Sequence, residues 1–418
     1  MTERRATSGA RIVVAGSLAE YLEGGGYWWH RLQYLLGLRD LGHEVFWLDL
    51  LPSSGDSAED ERSVATLIGR MKEFDLADRV IVLLHAGSRP NHDAESFTVL
   101  NASEQRFDEV VRDADLLWNL CGAAKQPLLS RFDRRVLIDL DPGVYQLSDL
   151  SWDMGLADHE TFFTLGMKIH DQDSEVPTRD VEWQPMLPFV FLPMWGEEPD
   201  PGSQAPFTSL TQWEWREMWL GDRVLSRSKR DAYLRYLDLP ARTGLPFELA
   251  ANIDPGDETG DRALLASHGW NWVHPHAKAG TPAAYRSYIA GSRAEFLCPK
   301  PIYTDLRTGW FSDRSVCYLA TGRPVVCEDT GFPERIPTGA GLLAFRDFDE
   351  AAAAVEDVHA HYARHKVAAR ELAVELFDSR LRLAEMVEAS FSARPGRDQG
   401  AASTSDAARS PDRTAPSM

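Results

Sequence analysis

Residues 308–333, TGWFSDRSVCYLATGRPVVCEDTGFP, hold the densest set of groups able to do chemistry. Ser312 and Asp313 suit a helix N-cap, and Gly322 suits the end of that helix. Arg314 then falls in the first turn, where a cation opposes the helix dipole. A bound anion there would account for it. Ser312, Ser315 and the free backbone N–H groups would donate to a phosphate, and Arg314 would grip it bidentately. The plainer reading has Asp313 capping the helix and Arg314 paired with a surface carboxylate; residue chemistry alone leaves both open. Further on, Asp329 and Glu334 flank Thr330-Gly331. Carboxylates accept well from neighbouring hydroxyls, and solvated loop acids are the alternative.

A second set lies in residues 22–33, LEGGGYWWHRLQ. Gly24, Gly25 and Gly26 stand at a helix start, where glycines let the backbone approach another group closely. The spacing is not G-x-G-x-x-G, so no dinucleotide fingerprint is met. Helical periodicity puts Trp28, Leu32, Leu35 and Leu36 on one face and His30 roughly opposite Trp28, off the expected core face. An unperturbed histidine titrates near about 6.5 and can accept a proton at neutrality; the alternative is a surface histidine. In LIDLDPGVYQ, a strand runs into Asp-Pro-Gly, which puts at least one of Asp139 and Asp141 at a strand's C-terminal edge. Either could orient His30 or act as base. Otherwise Asp139 points inward and Asp141 is a turn residue. Asn119 and Gly122 end a neighbouring strand and would line the same edge. His268, His274 and His276 lack an acid or thiol to complete a ligand set, so no metal is expected.

These groups need elements to hold them. Residues 11–17 (RIVVAGS) read as a buried parallel strand, followed by a glycine-bearing loop at 18–26, a helix over 27–41 and a strand over 43–50. The pattern recurs with strands at 79–85, 115–122 and 135–140. Strands alternating with helices predict a doubly wound parallel sheet. Residues 187–195 are an apolar run punctuated by prolines, and 197–206 (EEPDPGSQAP) read as a linker. A second series follows, with strands at 207–213, 247–253, 295–299, 324–327 and 342–345. Its helices are expected at 229–237, 257–268, 285–291, 312–321, 349–365 and 367–389. The composition beyond residue 391 predicts disorder. The chain therefore divides into an N-terminal unit over 1–200, a C-terminal unit over 207–366, a terminal helix over 367–390 and a tail over 391–418. Two such units predict a cleft beyond their C-terminal strand edges, where helix N-termini favour anions.

Bulk composition agrees with this. The 418 residues suit two to three domains, and 44% hydrophobic with 26% charged residues is ordinary globular usage. A net charge of −20 repels DNA and RNA, while a local Arg/Lys cluster can still hold a small anion. Cys121, Cys298, Cys317 and Cys327 form no C-x-x-C pair and sit in apolar runs, which reads as reduced thiols in the cytoplasm. No apolar stretch approaches the roughly 18 residues that span a bilayer. The charged first ten residues carry no secretory signal. Arg-rich, Lys-poor usage suits a high-GC bacterium.

The order helix, LATGRPVV, CEDTGF resembles the donor-binding part of GT-B glycosyltransferases. There a helix ends in a small residue and glycine, a Pro-Val-Val strand follows, and a glycine-bearing loop covers the sugar. Residues 294–300 (AEFLCPK) look like the preceding strand, and 225–239 (LSRSKRDAYLRYLDL) are similar to the first phosphate-binding loop and helix. The resemblance implies an α/β protein with two Rossmann-like domains facing each other across a cleft. It implies a donor site in which Arg227 or Lys229 neutralises a diphosphate beside Arg314 and Lys300, with Ser312, Asp313, Ser315, Thr330, Gly331 and Glu334 around it. On the other side it implies His30 as base with Asp141 or Asp139, and a cleft wall of Gly24, Gly25, Gly26, Trp28, Asn119 and Trp310. Tryptophan faces stack on sugar rings, and Trp28, Trp29, Trp213 and Trp310 lie in or beside these loops. The implied activity is transfer of a sugar from a nucleoside diphosphate sugar to a small-molecule or glycan acceptor, without metal or other cofactor. The alternatives are a sugar-nucleotide epimerase or phosphorylase on the same scaffold, or a nucleotide-sugar-binding protein without chemistry. One departure stands out: the glutamate pair that holds ribose in many retaining members is replaced by Gly309 and Cys317.

Overall fold

The computed structural model describes residues 9–86, 97–149 and 154–392. The tail expected to be disordered lies, from residue 393 on, outside the described residues. Eight strands build the first sheet: β1 (Arg11–Gly16), β2 (Glu44–Pro52), β3 (Val80–His85), β4 (Phe97–Val99), β5 (Leu116–Leu120), β6 (Arg135–Asp139), β7 (Thr161–Thr164) and β8 (Trp183–Pro185). Their spatial order is β4-β3-β2-β1-β5-β6-β7-β8, and only β4 runs antiparallel to its neighbour. The central strands are buried on both faces because helices cover both, so they read as continuous apolar runs such as IVVAG.

The second half begins with β9 (Phe207–Thr211). A hairpin of β10 (Met218–Leu220) and β11 (Arg223–Leu225) follows it. Then come β12 (Phe247–Ala251), β13 (Trp270–Val273), β14 (Ala294–Leu297), β15 (Val325–Glu328) and β16 (Leu342–Phe345). These form an all-parallel six-stranded sheet in the order β13-β12-β9-β14-β15-β16. The order reverses at β9 and β14, the crevice where such sheets bind ligands. Sequence reading missed β4, β7, β8, β13 and the hairpin. All are three or four residues long, too short for a period to show.

The Gly25–Asp40 helix differs from its expected amphipathic form. Residues from Trp28 to Leu38 are buried on every side. Besides the first sheet, it meets the Pro282–Ala290 helix and the Ser379–Ser392 helix. Gly37 admits the latter, since a Cβ there would lie 2.3 Å from Leu383 Cδ1. His30 is therefore buried, a correction to the expected surface face. The terminal helix expected over 367–389 is two helices, Tyr362–Leu376 and Ser379–Ser392. The break has a backbone cause. Val190 N donates to Phe377 O at 2.8 Å and Ser379 N donates to Val190 O at 3.0 Å, so the crossing segment takes hydrogen bonds that a continuous helix would need. After the break, the last helix rests on the first domain, with Trp118 Nε1 donating to Ser390 Oγ at 3.2 Å.

Candidate functional site

The C-terminal edges of the two sheets face each other across a cleft of about 520 Å³. From the first half it is lined by Gly24, Gly25, Gly26 and His30 after β1, Cys121 after β5 and Asp141 after β6. From the second half come Thr211 at the end of β9 and Gln212 after it, Asn252 after β12, Lys300 after β14, and Ser312, Asp313 and Arg314 at a helix start. The glycine run serves this juncture. A Cβ on Gly25 would lie 2.2 Å from Ala279 O, and one on Gly26 would lie 2.8 Å from the Tyr285 ring. Bare backbone therefore lets the two halves close on each other. Trp29 Nε1 donates across the same seam to Pro282 O at 2.8 Å. Asp141 accepts from both Lys300 and Tyr303, tying β6 to β14 beside the cleft.

The cationic wall belongs to the second half. Lys229 is the first residue of the Lys229–Tyr233 helix and is only 8% exposed. Its ammonium has no hydrogen bond or ion pair with any described residue. Burial, and then the charges of Arg314 and Lys300, push its pKa down from 10.5 to about 7. Arg314 settles its two readings in an unforeseen way. Nε contacts Glu295 Oε1 at 2.5 Å, and Nη1 donates to Leu210 O at 2.6 Å. Glu295 is fully buried in β14, so the partner is an interior carboxylate rather than a surface one. Burial is the largest single effect and works against the Arg314 charge, but Glu295 with Tyr285 and Tyr233 together more than offset it, so the guanidinium stays charged. Nη2 remains buried without an acceptor. Ser312 is the N-cap, accepting from Arg314 N at 3.1 Å, and Asp313 opens the Asp313–Ala320 helix. Two cationic groups with unused donors thus sit at a helix N-terminus above β9 and β14, the arrangement a phosphate needs.

The first half supplies different chemistry. Burial lowers the His30 pKa to about 4, with Asp313 opposing and Arg31 adding to the fall. Its Nδ1 lies 3.2 Å from Arg31 Nη1. The imidazole is therefore neutral at physiological pH; Arg31 can only donate, so Nδ1 carries the lone pair and is the atom that would accept a proton, as a weaker base than an unperturbed histidine. Cys121 holds φ at 51°, a left-handed conformation uncommon for a residue with a Cβ. Burial raises its thiol to about 11, so it is no nucleophile.

Solved structures share this architecture. An α-glucosyltransferase in complex with UDP-glucose and DNA is 13% identical, with 91% of this chain and 98% of that one covered at a TM-score of 0.55. Sucrose-phosphate synthase from Thermosynechococcus elongatus is 12% identical, covering 92% and 99% at 0.55. Anabaena HepE in complex with UDP and glucose is 12% identical, covering 90% and 99% at 0.52. The likeness establishes a GT-B fold. No family model matches the chain, and no curated protein matches it.

Within that fold, the expected site residues divide. His30, Asp141, Lys229, Lys300, Ser312, Asp313, Arg314, Gly24, Gly25, Gly26 and Trp310 line the cleft together. Others do not. Asp139 is fully buried behind it, accepting from Gln146, Thr164 and the backbone of Asp141. Burial raises its pKa to about 6. It positions the Asp-Pro-Gly turn and meets no ligand. Asn119 is also interior, bound to Ala124 and His159. Trp28 is a core residue whose Nε1 donates to Tyr21 O. Ser315 donates to Glu295 behind Arg314. Arg227 donates to Arg216 O and lies over the Trp215 ring, outside the cleft wall. Thr330, Gly331 and Glu334 also stand back. Thr330 donates to Trp310 O, and Gly331 and Glu334 pack on or pair with the buried Lys168. Trp213 is core, donating to Asp261. Trp215, Tyr285 and Tyr303 line the cleft and were not singled out, because an aromatic side chain carries no local mark of which surface it faces.

Proposed function

We propose that the protein transfers a sugar from a nucleoside diphosphate sugar to a small-molecule or glycan acceptor. The observation that carries the reading is the Lys229–Arg314 pair: two interior cations with unused donors, opening on a cleft at the reversal point of a parallel sheet. Glu295 answers the Arg314 charge, but the interior charge of Lys229 has no counter-charge among the described residues, and a diphosphate supplies one. Lys229, Arg314 and the amides of the Asp313–Ala320 helix would stabilise the leaving diphosphate, with no metal needed for that charge. His30, across the cleft, would take the proton of the acceptor hydroxyl, with Asp141 held in place by Lys300 and Tyr303 beside it.

The acceptor would stand on the first half. A cavity of about 390 Å³ shares Glu23, Gly24 and His276 with the main cleft and is lined by Glu20, Tyr21, Ser54, Glu59, Asp60 and Ser63. Carboxylates and hydroxyls suit a polyhydroxyl acceptor. They and the net charge of −20 suit a nucleic acid poorly, although one neighbour was solved with DNA. We read the protein as bacterial and cytoplasmic; its four cysteines are free, and among the described residues no helix is long and apolar enough to cross a membrane.

A thermal-shift series with UDP, GDP, dTDP and CDP sugars tests the reading, followed by release of free nucleoside diphosphate. UDP sugars come first because two of the neighbours named above were solved with UDP or UDP-glucose. A shift accompanied by turnover is the expected result. A shift without diphosphate release under any acceptor would leave a binding protein, and no shift with any donor would end the proposal.

A further inference from the structure

A larger cavity, about 620 Å³, lies away from the interdomain cleft and shares no lining residue with it. It opens between β7, β8 and the Ser379–Ser392 helix. Its floor is apolar and soft, built from Phe163, Met167, Met186 and Met386, each under a tenth exposed. Two guanidiniums stand at its rim. Arg335 Nη2 contacts both oxygens of Asp171 at 2.6 Å. Arg382 pairs with Glu385 at 2.9 Å through Nη1, while its Nε is buried and has no acceptor among the described residues. A buried charged donor without an acceptor carries a desolvation cost that a ligand oxygen would remove.

We propose that this cavity is a second ligand site, taking an amphipathic carboxylate. The volume falls within the range that holds small organic ligands. Methionine side chains adapt to an unbranched or a flat body alike. At the rim, Arg382 Nε would meet a single anionic head, beside the Arg335 guanidinium that Asp171 holds through Nη2 and Glu334 O through Nη1 at 3.5 Å. Nothing in the proposed transfer uses this cavity, so the two readings stand or fall separately.

Octanoate and 2-naphthoate serve as probes, with 1-octanol as the uncharged counterpart of the first, titrated calorimetrically into the full chain. One saturable site is expected for at least one carboxylate, at least tenfold tighter for octanoate than for octanol if octanoate is the one bound. Arg382→Gln should weaken binding about tenfold. Filling the cavity with Met386→Trp, or with Ala389→Phe on the half-buried wall, should abolish it. Melting curves establish that each variant folds, and the two filling variants guard against the loss of either. Failure of both carboxylates to bind, or binding that survives both folded filling variants, would overturn the site. Equal binding of octanol and octanoate would overturn the assigned head group.

Discussion

Replacing Lys229 with methionine should make the free protein more stable while removing its grip on the donor. The ammonium's pKa falls from 10.5 in an exposed lysine to about 7 in the fold, because burial and two neighbouring cations disfavour the charge. The unfolded chain therefore holds more protons between those values, and the stability of the fold rises with pH across that window. The burden is full below pH 7 and gone above 10.5. At pH 7.5 it comes to about 4 kcal/mol. Lys229→Met lifts that burden, so its unfolding midpoint should exceed the wild type's at neutral pH, with the gap closing toward pH 10. Donor binding reverses the account. A diphosphate beside Lys229 restores the proton, so at pH 8 binding should take up close to one proton. The apparent Kd should then rise by up to tenfold per pH unit above 7. Loss of a charge-assisted contact worth about 2–3 kcal/mol predicts that the variant binds UDP-glucose about 30- to 150-fold more weakly and takes up no proton. Calorimetry in two buffers of different ionisation enthalpy reads both quantities. A wild type that takes up no proton, or a methionine variant that keeps its affinity, would refute the reasoning.

Other outcomes follow from the same geometry. Arg314→Ala should abolish the donor-induced thermal shift and cost about 3–5 kcal/mol of stability, because Glu295 is left buried and unpaired. Arg314→Ala with Glu295→Gln should recover part of that stability by denaturant titration and none of the shift. His30→Ala should keep donor binding and lose 10²- to 10⁴-fold in kcat, on the order expected for a proton acceptor. With its pKa near 4, His30 should also contribute no inflection near pH 6.5 to the wild-type rate profile. Gly25→Ala forces a methyl group to within 2.2 Å of Ala279 O, so the halves must part. Overpacking costs about 1–3 kcal/mol, and turnover should fall at least tenfold while circular dichroism stays that of the parent.

Much of the architecture was legible because it rests on local rules. Long β-branched runs such as RIVVAG and the helix-length stretches between them announce a parallel sheet covered on both faces. The N-cap at Ser312 needs only its own side chain and the next turn. Other features were hidden because their causes lie far along the chain. Glu295 reads as one acid in an apolar strand until Arg314 is seen against it, 19 residues on. The three glycines announce a close approach, yet its partner, the segment from Ala279 to Tyr285, is more than 250 residues away. Asp139 and Asp141 are two residues apart with equal claims on paper. The strand ends at Asp139, whose carboxylate is held in the interior, and the bend beyond it carries Asp141 to the cleft.

Residue order alone was enough to set the longer strands, most of the helices and the N-cap at Ser312, since each depends on neighbours within a few positions. Which histidine face is buried, where the last helix breaks, and which cations lack a partner were settled by packing between distant segments. Burial and pairing are properties of the assembled interior, and no short window of the chain contains them.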